Sequence, residues 1–165
     1  MTEHNPAERF DLVPPEIAAG IEGIDFMRGL LDGSYPAPPF SEVADIWIVA
    51  VEPGRIQFEA MPSQRFYNPM GFVHGGWIAM LLDTAMGCVV HTGLTAGQSF
   101  TTIELKTAFL RPVTEQTGKL RCEAILLHRG SRVASAEGKI FDAAGKLIAH
   151  GSESCAILDL DAARR

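Results

Sequence analysis

From Gly75 to Gly93 the chain reads GGWIAMLLDTAMGCVVHTG, and Asp83 is the only Asp, Glu, Lys or Arg in it. Apolar residues fill most other places, so the pattern predicts a helix buried on all sides. After Gly97 the period shortens to two. Residues 99–110 set Ile103, Leu105, Thr107 and Phe109 on one face against Thr102, Glu104, Lys106 and Ala108 on the other. Residues 118–128 set Leu120, Cys122, Ala124 and Leu126 against Lys119, Arg121 and Glu123. The alternation continues through 131–141 and 146–158, joined by Asp142-Ala143-Ala144-Gly145, a natural hairpin turn. Ahead of the helix, 42–51 and 55–61 read as short strands flanking a Pro53–Gly54 turn, with a loop at 62–74. Residues 6–33 carry a rough amphipathic face (Ile17, Ile21, Ile24, Phe26, Leu30, Leu31). They suggest one or two helices ended by a glycine, with Pro14 and Pro15 able to open the second. SYPAPPF, at 34–40, reads as a stiff extended connector.

Two strands before the helix and three long ones after it, five to six in all, predict an α+β domain. An antiparallel sheet needs cover for its apolar face, and the 75–93 helix is the element available to give it. The expected division is a helical extension with its connector (1–40), one domain (41–158) and a short tail (159–165).

Composition changes little. The 165 residues suit one domain with a proper core, and 47% apolar against 21% charged is ordinary for a globular chain. Cys88, Cys122 and Cys155 are odd in number, lie in apolar segments and match no metal spacing. They indicate reduced core thiols and a cytoplasmic setting. The opening MTEHNPAERFDLVPP lacks a signal-peptide pattern, and a buried helix of about 16 residues is too short for a membrane span. A net charge of −6 argues against nucleic-acid binding. The charge is uneven: residues 1–97 hold 4 Lys/Arg and 12 Asp/Glu, a balance of −8, whereas 98–165 hold 10 and 8, a balance of +2. A polyanionic ligand would therefore favour the second half.

The chemistry centres on the helix. An ionised carboxylate inside it costs several kcal/mol unless paired or solvated, so Asp83 either has a structural partner or does chemistry; chemistry is the favoured reading. Gly75 and Gly76 open the helix, where backbone N–H groups lack internal partners and the dipole is positive. Such an end can hold an anion or a carbonyl oxygen becoming one, and the Gly75 N–H is the best placed donor. Gly75 and Asp83 lie about 12 Å apart along one axis and cannot reach one carbonyl within a subunit. Two antiparallel helices across a homodimer would bring them together.

These residues carry a resemblance. Asn68-Pro69, the spacing to His74-Gly75-Gly76, Asp83 nine residues on, Thr101-Thr102 opening a strand that ends Phe109-Leu110-Arg111-Pro112-Val113, and the closing Gly145–Gly151 strand resemble the hotdog-fold acyl-CoA thioesterases of the phenylacetate-degradation type, over roughly 25–158. The resemblance implies a sheet wrapped around one central helix, and the assembly expected is a homodimer or a homotetramer of paired dimers. It implies that Asp83 acts as nucleophile or general base on a thioester, while the Gly75 amide polarises its oxygen. Asn68 would orient the nucleophile, water or carbonyl, His74 would brace the loop, and Thr101 or Thr102 would supply a hydroxyl. Gly87 stands where some relatives keep a hydroxyl, and its missing side chain would widen the acyl pocket. Met80, Leu82, Met86, Phe72 and Trp77 are available to line that pocket, with Gly76 at its mouth. The coenzyme A phosphates would meet Arg129-Gly130-Ser131-Arg132, with Arg111 a further candidate. The substrate is then a small or aromatic acyl-CoA, with no metal and no cofactor beyond the coenzyme A it carries. Two rivals stand beside this: a hotdog hydratase or dehydratase, whose histidine–acid arrangement the segment lacks, and a non-catalytic acyl-CoA binder or sensor. A DNA-reading sensor would need a basic segment, yet residues 1–40 hold only Arg9 and Arg28 as Lys/Arg.

Overall fold

The computed structural model describes residues 10–160. Helix α1 is Pro15–Ala18, α2 Gly23–Asp32, α3 Pro39–Ala44 and α4 Gly75–His91; the strands are β1 Ile46–Glu52, β2 Arg55–Ala60, β3 Gln98–Phe109, β4 Leu120–Arg129, β5 Val133–Phe141 and β6 Leu147–Asp159. The strands form one sheet in the order β1-β2-β4-β5-β6-β3, with every pairing antiparallel. Helix α4 lies across its concave face and packs on β2 through β6. Leu81, Leu82, Ala85, Met86, Val89 and Val90 are fully buried there, against Leu120, Cys122, Ala134, Ala136, Ile140 and Cys155 from the strands. Gly138 and Gly151 let the helix approach, since a Cβ at either would meet Leu82 and Met86.

Four strands, not three, follow α4: each of the four alternating stretches is a strand of its own, β3 to β6. The first predicted strand begins too early: residues 42–44 belong to α3. Pro39 sits in its first turn, where a missing N–H costs nothing, and Asp45 ends it in the left-handed region (φ 52°). The stiff connector therefore ends at Pro38. Pro15 opens the short α1, α2 carries no proline at its start, and Gly33 (φ 80°) supplies the expected stop. Residues 1–9 and 161–165, which include the start of the predicted first helix, most of the opening segment and most of the tail, lie outside the described residues. Among the described residues no helix is long and apolar enough to cross a membrane.

The amino-terminal helices share the core. Met27 of α2 is 1% exposed, and the Gly23 N–H donates to the Leu94 carbonyl at 2.9 Å. A Cβ on Gly23 would stand 1.9 Å from the His91 carbonyl oxygen, a backbone atom that cannot swing aside. Gly23→Ala should therefore push α2 off the end of α4 and cost about 2 kcal/mol or more in urea unfolding. An unchanged midpoint would show that the close approach contributes nothing.

The prediction for β3 fails in one instructive respect. Its pairing with β6 slips between Thr102 and Glu104, so Ile103 is an extra, bulged residue, 61% exposed. Strict alternation puts Thr102 on the outer face with Glu104. The bulge instead returns Thr102 to the helix side, with Leu105, Thr107 and Phe109.

Candidate active site

Asp83 is half-buried on α4, and Thr102 Oγ1 lies 3.2 Å from its Oδ1. Its Oδ2 has no hydrogen-bond partner among the described residues, so one oxygen stays available. The same Thr102 Oγ1 lies 3.0 Å from Oε1 of Glu153, on β6 and only 2% exposed. Cys155 Sγ donates to that Oε1 at 2.9 Å, and Glu153 Oε2 is buried without a partner among the described residues. Burial, opposed by the thiol contact and helped by the charge on Asp83, pushes the Glu153 carboxyl up to about 7. Sequence reasoning missed Glu153. The signal was there: on the inward face of β6 it is the one charged residue in the series Gly151, Glu153, Cys155, Ile157.

Helix α4 is not buried on all sides. Gly76 and Met80 (43% exposed) lead along one stripe to half-buried Asp83, beside the β3 edge. The Gly75 N–H has no acceptor among the described residues. Gly75 lines an open groove of about 290 Å³ with Val73, Ile78, Phe109, Arg111 and Pro112. The larger groove of about 390 Å³, bounded by Lys106, Lys139 and His150, lies over β3, β5 and β6 and touches neither Asp83 nor Gly75.

His74 is the N-cap of α4, its Nδ1 accepting from the Gly76 N–H at 2.9 Å. That contact braces the loop and removes Gly76 as a donor to substrate. Asn68 closes the 68–72 turn: its Oδ1 accepts from the Met70 and Phe72 N–H groups at 2.9 and 3.3 Å. Its amide hydrogens have no partner among the described residues. Thr102, and not Thr101, meets Asp83; Thr101 is exposed and pairs with Ala156 on the outer side of the bulge.

Other expected contacts are not formed. Space at Gly87 is filled rather than open, since a Cβ there would stand 3.0 Å from the Phe100 ring. Leu82, Met86 and Trp77 are core residues at 0%, 0% and 5% exposure, leaving Met80 and Phe72 (39%) at the surface. An apolar cavity of about 50 Å³ instead lies behind Thr84 and Cys88, walled by Met27, Leu30 and Phe40. Burial drives the Cys88 thiol up to about 12, so it is no thiolate nucleophile near neutral pH. Arg129 is committed internally, donating to the Gly93 carbonyl at 3.1 Å, to the Gly130 carbonyl and to Gln98 Oε1. It tethers the end of α4 to the β4–β5 turn, where a carbonyl-rich helix terminus favours a cation. Gly130 is held tightly in that turn, a Cβ there meeting the Val133 carbonyl at 2.9 Å. Ser131, Arg132 and Arg111 are exposed. Among the described residues no cluster of three His, Cys, Asp or Glu could hold a metal.

His91 stacks on Phe26 (centroids 5.0 Å apart) with Phe100 edge-on, and burial pulls it down to about 4. Unfolded, the imidazole protonates near 6.5, so stability present above that pH is lost as pH falls toward 4. Glu153 works in the opposite sense. Unfolded it ionises near 4.5 but folded it keeps its proton to about 7, so stability is lost as pH rises between these values. The two slopes oppose each other over their shared window. Relative to wild type, His91→Phe should lose stability with rising pH from 5 to 6.5 and Glu153→Gln with falling pH, by roughly 1–3 kcal/mol each in urea titrations. Curves parallel to wild type for both would contradict this assignment.

Comparison with known proteins places the chain in a family. The Thioesterase superfamily model matches residues 70–149, which run from the α4 loop into β6. A candidate esterase of Saccharolobus solfataricus is 32% identical over 114 residues, covering 69% of this chain and 79% of that protein. The proofreading thioesterase EntH of Klebsiella pneumoniae is 31% identical over 96 residues, covering 58% and 69%. A solved phenylacetic acid degradation-related protein from Ralstonia eutropha JMP134, a candidate thioesterase, superposes with TM-score 0.72 at 31% identity, covering 79% of this chain and 98% of that one. The chain belongs to the thioesterase superfamily, has the hotdog fold, and is a thioester hydrolase.

Proposed function

We propose that the protein hydrolyses small or aromatic acyl-CoA thioesters in a homodimer, itself paired into a homotetramer, with each site shared between two subunits. The observation that carries this reading is the pairing on one helix of a carboxylate with a free oxygen and an amide with no acceptor, set too far apart to serve one carbonyl. A second α4 running antiparallel would bring one Gly75 opposite the partner's Asp83. The exposed apolar residues support the same assembly: Ile103 and Phe109 on the β3 edge and Met80 on the open stripe of α4 are 61%, 51% and 43% exposed. An unpaired apolar edge strand is the surface along which two sheets join.

In the proposed reaction the Gly75 N–H donates to the thioester oxygen as it gains charge in the tetrahedral intermediate. Asp83 Oδ2 either attacks the carbonyl or takes a proton from the attacking water, and the thiolate of coenzyme A leaves. Thr102 holds Oδ1. The free amide of Asn68 orients substrate or water at the loop, and His74 keeps that loop seated. Arg111, lining the Gly75 groove, and Arg132 are the cations free for the coenzyme A phosphates, while the Thr84–Cys88 cavity has room for a small apolar part of the acyl group. The test is thiol release over a panel of acyl-CoAs by wild type and Asp83→Asn. Binding of acyl-CoA without turnover by either protein would turn the assignment to the non-catalytic binder.

A further inference from the structure

The contact between Thr102 and two acids is over-subscribed. A threonine hydroxyl has one proton to donate, yet its Oγ1 lies 3.2 Å from Asp83 Oδ1 and 3.0 Å from Glu153 Oε1. If both acids were ionised, one of these contacts would set lone pair against lone pair, and two negative charges would share one hydroxyl. A single proton on one acid resolves both. The neutral acid donates to Thr102 Oγ1, and the Thr102 proton goes to the other.

Burial decides which acid is neutral. Asp83 is half-buried with a free oxygen toward the open stripe, whereas Glu153 is 2% exposed and its Oε2 meets no donor. Ionising the buried acid costs more. Among the described residues no cation relieves it. The groups facing Glu153 are Asp83 and Cys88 from α4, Thr102 from β3 and Cys155 from its own strand. On β5 the inward neighbours are Ala134 and Ala136, and the charged Glu137 and Lys139 point to the outer face.

We propose that Glu153 is a positioning residue: it stays protonated, donates to Thr102 Oγ1, and so directs the Thr102 hydroxyl onto Asp83, holding that carboxylate ionised and oriented for reaction. The inference rests on the reading of Asp83 as the reacting group, and it adds a dependence on pH. When Glu153 loses its proton, the Thr102 hydroxyl turns to the more deeply buried charge and Asp83 is released. Turnover then falls on the alkaline side while substrate binding, which does not use this chain, is kept.

The test is the shape of the kcat–pH profile for wild type, Glu153→Gln, Thr102→Val and Thr102→Ser. Wild type should lose about tenfold in kcat through an alkaline limb centred near neutrality, with KM little changed. Glu153→Gln carries a permanent donor and should lose that limb; Thr102→Val should lose it together with rate at every pH; Thr102→Ser should restore it. A readout independent of activity is the infrared C=O band of a protonated carboxyl. It should titrate in wild type and be absent in Glu153→Gln, and in Asp83→Asn it should disappear at lower pH because a neighbouring charge has gone. A wild-type limb surviving in Glu153→Gln, or no titrating band in wild type, overturns the proposal. If no acyl-CoA is hydrolysed, the thioesterase reading of the substrate fails, while the infrared titration still decides whether the two acids share one proton.

Discussion

Asp83→Asn should lower kcat/KM for acyl-CoA hydrolysis by at least about 100-fold, the usual cost of losing a nucleophile or general base. The substitution is chosen because it isolates chemistry from packing. Asparagine has the same outline, and its carbonyl oxygen can still accept from Thr102, so α4 and the bulged β3 keep their contacts. What disappears is the negative charge and the ability to attack or to take a proton. The fold should survive, with a unfolding midpoint close to wild type. Asparagine also removes the charge that raises Glu153, so the variant should be slightly more stable near pH 7, where ionising Glu153 becomes cheaper. Activity within a few-fold of wild type would end the case for Asp83 and shift attention to Glu153, the other acid in contact with Thr102 among the described residues.

The fold was legible where one element decides its own pattern, and obscure where two must agree. The apolar run at 75–93 announced the helix but not its open stripe at Gly76 and Met80, and the alternation at 118–128 announced β4 with Leu120, Cys122 and Ala124 inward. Ile103 shows the limit. One bulged residue reverses the faces of everything before it on β3, and a bulge depends on the partner strand, so counting along β3 alone placed Thr102 on the wrong side. Arg129 was expected to meet phosphate because its turn resembles one that contacts coenzyme A; its acceptors are the Gly130 carbonyl beside it and the Gly93 carbonyl and Gln98 Oε1, both more than 30 residues away in the chain. Glu153 was readable as a charge on an apolar face, but its connection to Asp83 runs through Thr102 and needed the bulge to be known first. The carboxylate and the glycine amide stood out in the sequence because each is exceptional within a single segment.

Removing the Gly75 N–H should cost roughly 10²–10³ in kcat, and proline is the residue that removes it with least disturbance. Gly75 is the first residue of α4, a position where proline's fixed φ suits the helix and no intrahelical bond is lost. The preceding His74 already sits at φ −60°, ψ 134°, the extended conformation that a following proline demands. The nearest atom to an added Cβ is on the Phe109 ring at 3.4 Å, which is close to ordinary contact. Gly75→Pro and Asp83→Asn should then each be folded and nearly inactive, for different reasons. In a site shared across the dimer, a mixed dimer holds one site with both defects and one with neither. Co-refolding equal amounts should make about half the dimers mixed, and so restore about a quarter of wild-type activity. No arrangement confined to one subunit can do this, since every chain in the mixture lacks one of the two groups. A mixture no more active than its parts, with mixed dimers shown to form, would place the carboxylate and the amide in separate roles and remove the shared site.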